Sequence, residues 1–300
     1  MSHFHRKPIL VPVDFSTASL QAARVAISVA EDIKDVTLVH VAHDYELVAS
    51  PYGWSLDCGR ENYWDSAVER LNNWITENGL TGVKSQVVAG DPGTRICDIA
   101  SQTETRLIVV SSHGRSGIER VLLGSVAERV IRHCECDVLV LRRTDDAQGS
   151  HIDEKSMTWC PRQRVLVPID FSDNGITALN VAKELVDGRE CIDVINVVPS
   201  FEAQIIGSTV VTDEERRLNR QETLERYLAN HEADGMRAHA LTGDPGTTIC
   251  SYADKVNADV VVISSHGYHG LKRLLLGSTA ERVVRHCGSP VLILRRNDAE

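Results

Sequence analysis

The chain repeats itself. Gly90 to Arg143 aligns with Gly243 to Arg296 without a gap, and more than half of the positions are identical. The first copy reads GDPGTRICDIA, then RLIVVSSHGRSGIERVLLGSVAERVIRHC, then DVLVLRR. The second reads GDPGTTICSYA, then DVVVISSHGYHGLKRLLLGSTAERVVRHC, then PVLILRR. Upstream, ILVPVDFS (Ile9 to Ser16) matches VLVPIDFS (Val165 to Ser172). A duplicated pattern of this length means two domains of one kind. We expect a first domain over 1–143, a polar, aperiodic linker over 144–163 and a second domain over 164–300.

Within each copy, short apolar runs alternate with helical spacing. ILVPVDF, VTLVHVA (Val36 to Ala42), VKSQVVAG, RLIVVSS and DVLVLRR read as strands. The runs are apolar without alternation, as in strands covered on both faces. Between them, Ser16 to Ile33 reads as a helix, as does Glu61 to Asn78 with Val68, Leu71 and Ile75 inward. Asp91 is placed to cap a helix that has Pro92 at its first position and runs through Ser101. Ser125 to His133 is a fourth helix. Strand–helix alternation predicts an α/β fold: two tandem, doubly wound, five-stranded parallel-sheet domains. The copies differ most after the second strand, at His43 to Trp64 and at Pro199 to Thr212; the first of these stretches is rich in aromatic residues and reads as a packed surface loop, with a lid or domain contact as the alternative.

Charge and composition exclude several function classes. The formal net charge is -10, which disfavours a nucleic-acid partner. No apolar run approaches the roughly 18 residues of a membrane span. MSHFHRKPILVPVDF has too short an apolar run for a signal peptide or anchor, so the expectation is a cytoplasmic protein without a membrane partner. Cys97 and Cys250 hold matching places among the eight cysteines, as do Cys134 and Cys287, and all four read as small buried hydrophobes. Cys134-Glu135-Cys136 beside His133 has a metal-ligand look, but its counterpart His286-Cys287-Gly288-Ser289 lacks the second cysteine, so no metal is assigned.

The chemistry points to one loop. The fourth strand runs into Ser111-Ser112-His113-Gly114, and nine residues later Gly124-Ser125 opens a helix. The second copy has Ser264-Ser265-His266-Gly267 and then Gly277-Ser278. Glycines let backbone approach an anion closely, and a helix N-terminus supplies amide donors and a favourable dipole. The lysine of a Walker loop is absent. A competing reading is purely structural: Ser125-x-x-Glu128 and Ser278-x-x-Glu281 are capping boxes. Arg115, Arg120 and Arg129 are at hand to offset Glu128; in the second copy Tyr268 replaces Arg115, while Arg273 and Arg282 remain. His113 and His266 have no base, nucleophile and orienting group assembled with them, so no catalytic residue is assigned.

This loop, with the first strand and its Asp14, resembles the universal stress protein family over both copies. That resemblance implies a Rossmann-like domain of the adenine nucleotide alpha-hydrolase-like kind. Nucleotide-binding members carry Gly, two residues, Gly, nine residues, then Gly-Ser or Gly-Thr. Gly114 and Gly267 match the second glycine, and Gly124-Ser125 and Gly277-Ser278 match the end. Ser111 and Ser264 replace the first glycine, which implies weakened rather than abolished binding. Asp14 and Asp170 match the acidic residue near the adenosine; on the residues alone, Asp14 or Ser16 serves equally as cap of the next helix. Pro12, Val13 and Val41, with Pro168, Ile169 and Val197, match the adenine-side wall. Val126 and Thr279 match residues whose backbone meets the phosphates. His113 and Arg115 of the first loop, and His266 of the second, complete the candidate set.

The resemblance therefore implies ATP, ADP or AMP as ligand, with magnesium only as companion of the triphosphate. It implies a stress-response or regulatory protein with at most slow ATP hydrolysis, or alternatively an interaction protein of the same fold that binds no nucleotide. An adenylating ligase is disfavoured, since neither SGGxDS nor HxGH occurs. The family pairs its domains through the last strand, here VLVLRR and VLILRR, which implies an intrachain pseudo-dimer and leaves a homodimer open.

Overall fold

The computed structural model describes residues 6–42, 57–112, 123–142, 164–200, 204–206, 209–265 and 276–295. It separates into two compact units, each an α/β domain. In the first, the elements follow as β1 (Ile9–Pro12), α1 (Thr17–Val29), β2 (Val36–Ala42), α2 (Asp57–Glu77), β3 (Lys84–Ala89), α3 (Pro92–Gln102), β4 (Leu107–Ser111), α4 (Ser125–His133) and β5 (Asp137–Leu141). All strand pairs are parallel, in the order β5-β4-β1-β2-β3. The inner strands are covered on both faces, so Ile9, Val11, Leu38, Leu107 and Ile108 are almost wholly buried.

The second domain repeats the plan with β6 (Val165–Pro168), α5 (Asp173–Leu185), β7 (Ile192–Val198), α6 (Asp213–Asn230), β10 (Arg237–Thr242), α7 (Pro245–Val256), β11 (Val260–Ser264), α8 (Ser278–His286) and β12 (Val291–Leu294). Its parallel order is β10-β7-β6-β11-β12. Between β7 and α6 it adds an antiparallel hairpin, β8 (Gln204–Ile206) with β9 (Thr209–Val211). The sequence between those strands is Gly207-Ser208, a two-residue hairpin signal. The counterpart stretch 43–56, with its lid alternative, lies outside the described residues.

Three expectations need correction. The first helix stops at Val29, with Ala30 extended, rather than at Ile33. Asp32 takes over there: its carboxylate accepts from the Lys34 N–H at 2.9 Å and starts a separate 3₁₀ turn over Ile33–Asp35. Val68 is 43% exposed, whereas Leu71 and Ile75 are buried. Helix α2 covers an edge strand, so the arc it buries is narrow and Val68 falls on its flank. Finally, Cys97 and Cys134 are joined in a disulfide between α3 and the end of α4, rather than packing as separate thiols.

The second domain also carries a buried ion cluster. Asp193 on β7 is fully buried and accepts from Arg237 Nε and Nη2, both at 3.0 Å, with His239 Nε2 at 3.2 Å and Arg164 Nε at 3.5 Å. It sits at the amino end of the sheet, away from the carboxyl ends of the strands.

Candidate functional site

Each sheet reverses its strand order beside its first strand: β2 follows on one side of β1, and β4 lies on the other. The crevice beyond the carboxyl ends at such a reversal is where doubly wound sheets take ligands. Leu10 pairs with Ile108 in parallel register. Counting on along both strands sets Val13 level with Ser111, and Asp14 level with Ser112. In the second domain Leu166 pairs with Val261, which sets Ile169 level with Ser264 and Asp170 level with Ser265.

The turn that presents Asp14 is held from several sides. Val13 donates its N–H to Val39 at 2.8 Å, and its carbonyl accepts from His40 Nδ1 at 2.8 Å. A carbonyl can only accept, so this Nδ1 carries the proton. Phe15 then adopts φ 65°, a left-handed conformation that a bulky residue rarely takes. Its ring lies 4.5 Å from His40 and 6.1 Å from Trp74, with the Arg70 guanidinium 4.2 Å above it. Asp14 Oδ1 accepts from the Ser16 N–H at 3.0 Å and the Ser16 hydroxyl at 2.5 Å. Ser16 in turn caps α1, accepting from the Ser19 N–H at 3.1 Å. Of the two capping candidates, Ser16 is the one used.

The second domain builds the same turn with different parts. Ile169 donates to Ile195 at 2.9 Å, and its carbonyl accepts from Asn196 Nδ2 at 2.7 Å. Phe171 again has φ 65° and packs edge-on against Tyr227 at 5.2 Å. Asp170 Oδ1 accepts from the N–H and hydroxyl of Ser172 at 3.1 and 2.5 Å. His40 and Asn196 were missed in the sequence because they differ in kind at equivalent positions. Phe15 and Phe171 recur within the matched DFS run, which was the available signal.

Across the crevice, the starts of two helices carry no side-chain cap among the described residues. Gly124 and Gly277 are the N-caps of α4 and α8, and neither helix has a side-chain cap hydrogen bond. The expected capping boxes do not form. Ser125 and Ser278 stand one position too late to cap, and Glu128 and Glu281 turn along their helices to Arg132 and Arg285 at 3.1 and 3.0 Å. The first intrahelical bonds are Glu128 N–H to Gly124 and Glu281 N–H to Gly277, both 2.8 Å. The amides of Ser125, Val126 and Ala127, and of Ser278, Thr279 and Ala280, precede them. Ser125 and Ser278 are exposed; Val126 and Thr279 are half-buried.

Arg129 does not turn towards the start of α4. It bonds to Asp91, the N-cap of α3, and Arg282 does the same to Asp244 at 2.5 Å. Asp91 also accepts from the N–H and hydroxyl of Thr94 at 2.9 and 2.8 Å. Thr94's amide and hydroxyl, followed by Arg129, hold this carboxyl below its ordinary pKa. Gly93 makes the clasp sterically feasible, since a Cβ there would stand 2.5 Å from Arg129 Cδ; Gly246 stands likewise against Arg282.

Pro12 and Pro168 end β1 and β6 half-buried, and Val13 and Ile169 are buried behind them. Val41 is buried and Val197 half-buried near the carboxyl ends of β2 and β7. His113, Gly114 and Arg115, with Arg120, and His266 and Gly267, with Tyr268 and Arg273, lie outside the described residues. No helix among the described residues is long and apolar enough to cross a membrane.

The profile of the Universal stress protein family matches the chain twice, over residues 5–142 and 161–295. A universal stress protein of Methanocaldococcus jannaschii is 34% identical over 140 residues, 46% of this chain and 82% of that protein. One from Mycolicibacterium smegmatis is 27% identical over 306 residues, 96% of each chain. The crystal structure of a universal stress protein from Archaeoglobus fulgidus superposes with TM-score 0.62 at 23% identity, covering 99% of both chains, and shares the fold. The chain belongs to the universal stress protein family and carries two domains of that family in tandem.

Proposed function

We propose that each domain binds one adenine nucleotide (ATP, ADP or AMP) and that the chain acts as a cytoplasmic stress-response or regulatory protein whose state follows nucleotide supply. The observation that carries this reading is the uncapped start of α4 and α8, set across the crevice from Asp14 and Asp170 and built the same way twice. Three unclaimed amides at a helix N-terminus attract phosphate. In the first domain the amides of Ser125, Val126 and Ala127 and the Ser125 hydroxyl would hold the phosphates, with Gly114, His113 and Arg115 of the loop. Asp14 would accept from ribose hydroxyls, and Pro12, Val13 and Val41 would flank the base. Ser278, Thr279, Gly267, His266, Asp170, Pro168, Ile169 and Val197 take these parts in the second. Magnesium belongs here only with the triphosphate. Hydrolysis is slow at most, and the intrachain pairing that the resemblance implies is part of the proposal.

Titration calorimetry of the full chain tests it. We expect saturable heat with a stoichiometry near two per chain, and nucleotide identified by mass spectrometry in freshly denatured protein. No heat with ATP, ADP and AMP at millimolar concentration would falsify the reading. An interaction protein without nucleotide is the second reading, favoured by Ser111 and Ser264 standing where nucleotide-binding members carry glycine. It expects captured partners to be unchanged by Gly114→Val and Gly267→Val.

A further inference from the structure

We propose that Cys97–Cys134 is a thiol–disulfide exchange site, opened by dithiol reductants, that sets how firmly α4 is held on α3 in the first domain. Two ties join these helices: the Arg129–Asp91 clasp and the disulfide, whose Cα atoms are 5.1 Å apart. The second domain builds the same helix pair with the Arg282–Asp244 clasp, and places Cys250 and Cys287, both buried, at the equivalent positions. The two cysteines of the first domain are unequally exposed. Cys97 is half-buried in the second turn of α3, whereas Cys134 is 4% exposed at the end of α4. A third cysteine, Cys136, stands half-buried two residues beyond Cys134, where the second domain has Ser289.

Exposure directs the chemistry. A thiolate of the reductant attacks Cys97 Sγ, the S–S bond breaks, and Cys134 leaves as a thiolate that takes up a proton. The second thiolate of the reductant attacks the mixed disulfide, closes its own ring and releases Cys97, which is protonated in turn. Two electrons pass to the protein and the dithiol becomes a disulfide. Loss of the covalent tie leaves the ionic clasp alone, and α4 gains freedom at its carboxyl end. Exchangeable disulfides of this kind suit a compartment rich in thiols, where a structural staple would not persist.

Non-reducing tryptic mass spectrometry of the air-equilibrated full chain is expected to show peptide 96–106 joined to 133–142 through Cys97 and Cys134. Dithiothreitol added to the folded protein, followed by alkylation, should label Cys97 without denaturant. Amide hydrogen exchange over 125–133 should then quicken several-fold, while 278–286 stays unchanged as the internal control, and Cys97→Ser should exchange like the reduced protein. The proposal is overturned if 96–106 is already alkylated in the air-equilibrated chain, if the link opens only in denaturant, or if exchange over 125–133 does not respond.

Discussion

Gly124 donates its N–H to the carbonyl of Ser112 across 2.8 Å, and Gly277 repeats the bond to Ser265 at the same distance. Helices α4 and α8 therefore begin where β4 and β11 end, whatever path the chain takes between. This bond puts the open amides of each helix at the crevice. Glycine serves as cap without a side chain that would occupy those amides, at a cost of only a few tenths of a kcal/mol relative to serine or aspartate. A glycine cap that leaves the first amides uncovered, repeated in both domains, is the feature on which the proposed phosphate site rests.

Asp14 and Asp170 stand just past the first strand of each domain, level in register with Ser112 and Ser265. Asp14→Ala and Asp170→Ala should each weaken adenine nucleotide binding at one site by about 10- to 100-fold, the value of a hydrogen bond to a charged group. Calorimetry should resolve one weakened and one retained site in each single variant. Equal weakening of both sites by either variant would contradict the assignment.

Gly93→Ala should run against helix propensity. Alanine normally gains up to about 1 kcal/mol over glycine inside a helix. Here the new Cβ meets Arg129 at Cβ, Cγ and Cδ, all within 2.9 Å, so the helix pair must shift. We expect a net loss of about 1–3 kcal/mol in urea unfolding. Pairing it with Arg129→Ala removes the Cγ and Cδ clashes but keeps the Cβ at 2.8 Å, so it should recover part of the loss, and a double-mutant cycle with no coupling would refute the account.

Acid should loosen both clasps. The Thr94 amide and hydroxyl and then Arg129 depress the Asp91 carboxyl; the Thr247 amide, then Arg282, then the Thr247 hydroxyl depress Asp244. An unfolded aspartate takes its proton near pH 4, before the folded one does. The stabilisation is thus complete above about pH 4 and disappears as pH falls through the lower folded values. Unfolding midpoints measured from pH 6 to pH 2.5 should fall less steeply in Asp91→Asn/Asp244→Asn than in the parent chain. Because both side chains are half-exposed, the difference should be small and should shrink further in salt.

Asp193 offers a contrast, because it is buried while Arg237 is 37% exposed. Asp193→Ala removes the anion and leaves the cations of Arg237 and Arg164 without it. We expect a loss of about 1–3 kcal/mol on urea unfolding, because the cations left behind are partly exposed and water can reach them. Asp193→Ala unfolding with the parent midpoint would show that the cluster contributes nothing net.

The sequence carried the fold further than the site. Apolar runs without alternation marked the strands, and Asp91 with Pro92 marked the start of α3 to the residue. These are local signals, written in neighbouring positions. What escaped depends on partners far apart in the chain. Ser125-x-x-Glu128 has the letters of a capping box, but the true cap is Gly124 and Glu128 has Arg132 one turn on. Arg129 looked available for phosphate, yet its partner lies 38 residues earlier in Asp91. Cys97 and Cys134 matched their repeat positions as core residues, and only the packing of α4 on α3 brings their sulfurs together. His40 and Asn196 perform one task with two residue types, so comparing the copies concealed it.

Phe15 is where the local rules and the site disagree most openly. A phenylalanine at φ 65° costs about 1–2 kcal/mol of backbone strain, which its ring offsets by packing on His40 and Trp74 beneath Arg70. Phe15→Gly removes the strain and the ring together. Phe15→Ala removes the ring and keeps the strain. At an ordinary position alanine is the more stable of the two, but here glycine should exceed alanine by about 1 kcal/mol in urea unfolding, with both below the parent. Both variants should also weaken nucleotide binding in the first domain, since the turn that aims Asp14 is no longer pinned. Phe171→Gly and Phe171→Ala should show the same order in the second domain. Alanine proving the more stable at either position would mean that the left-handed turn is not what holds the aspartate in place.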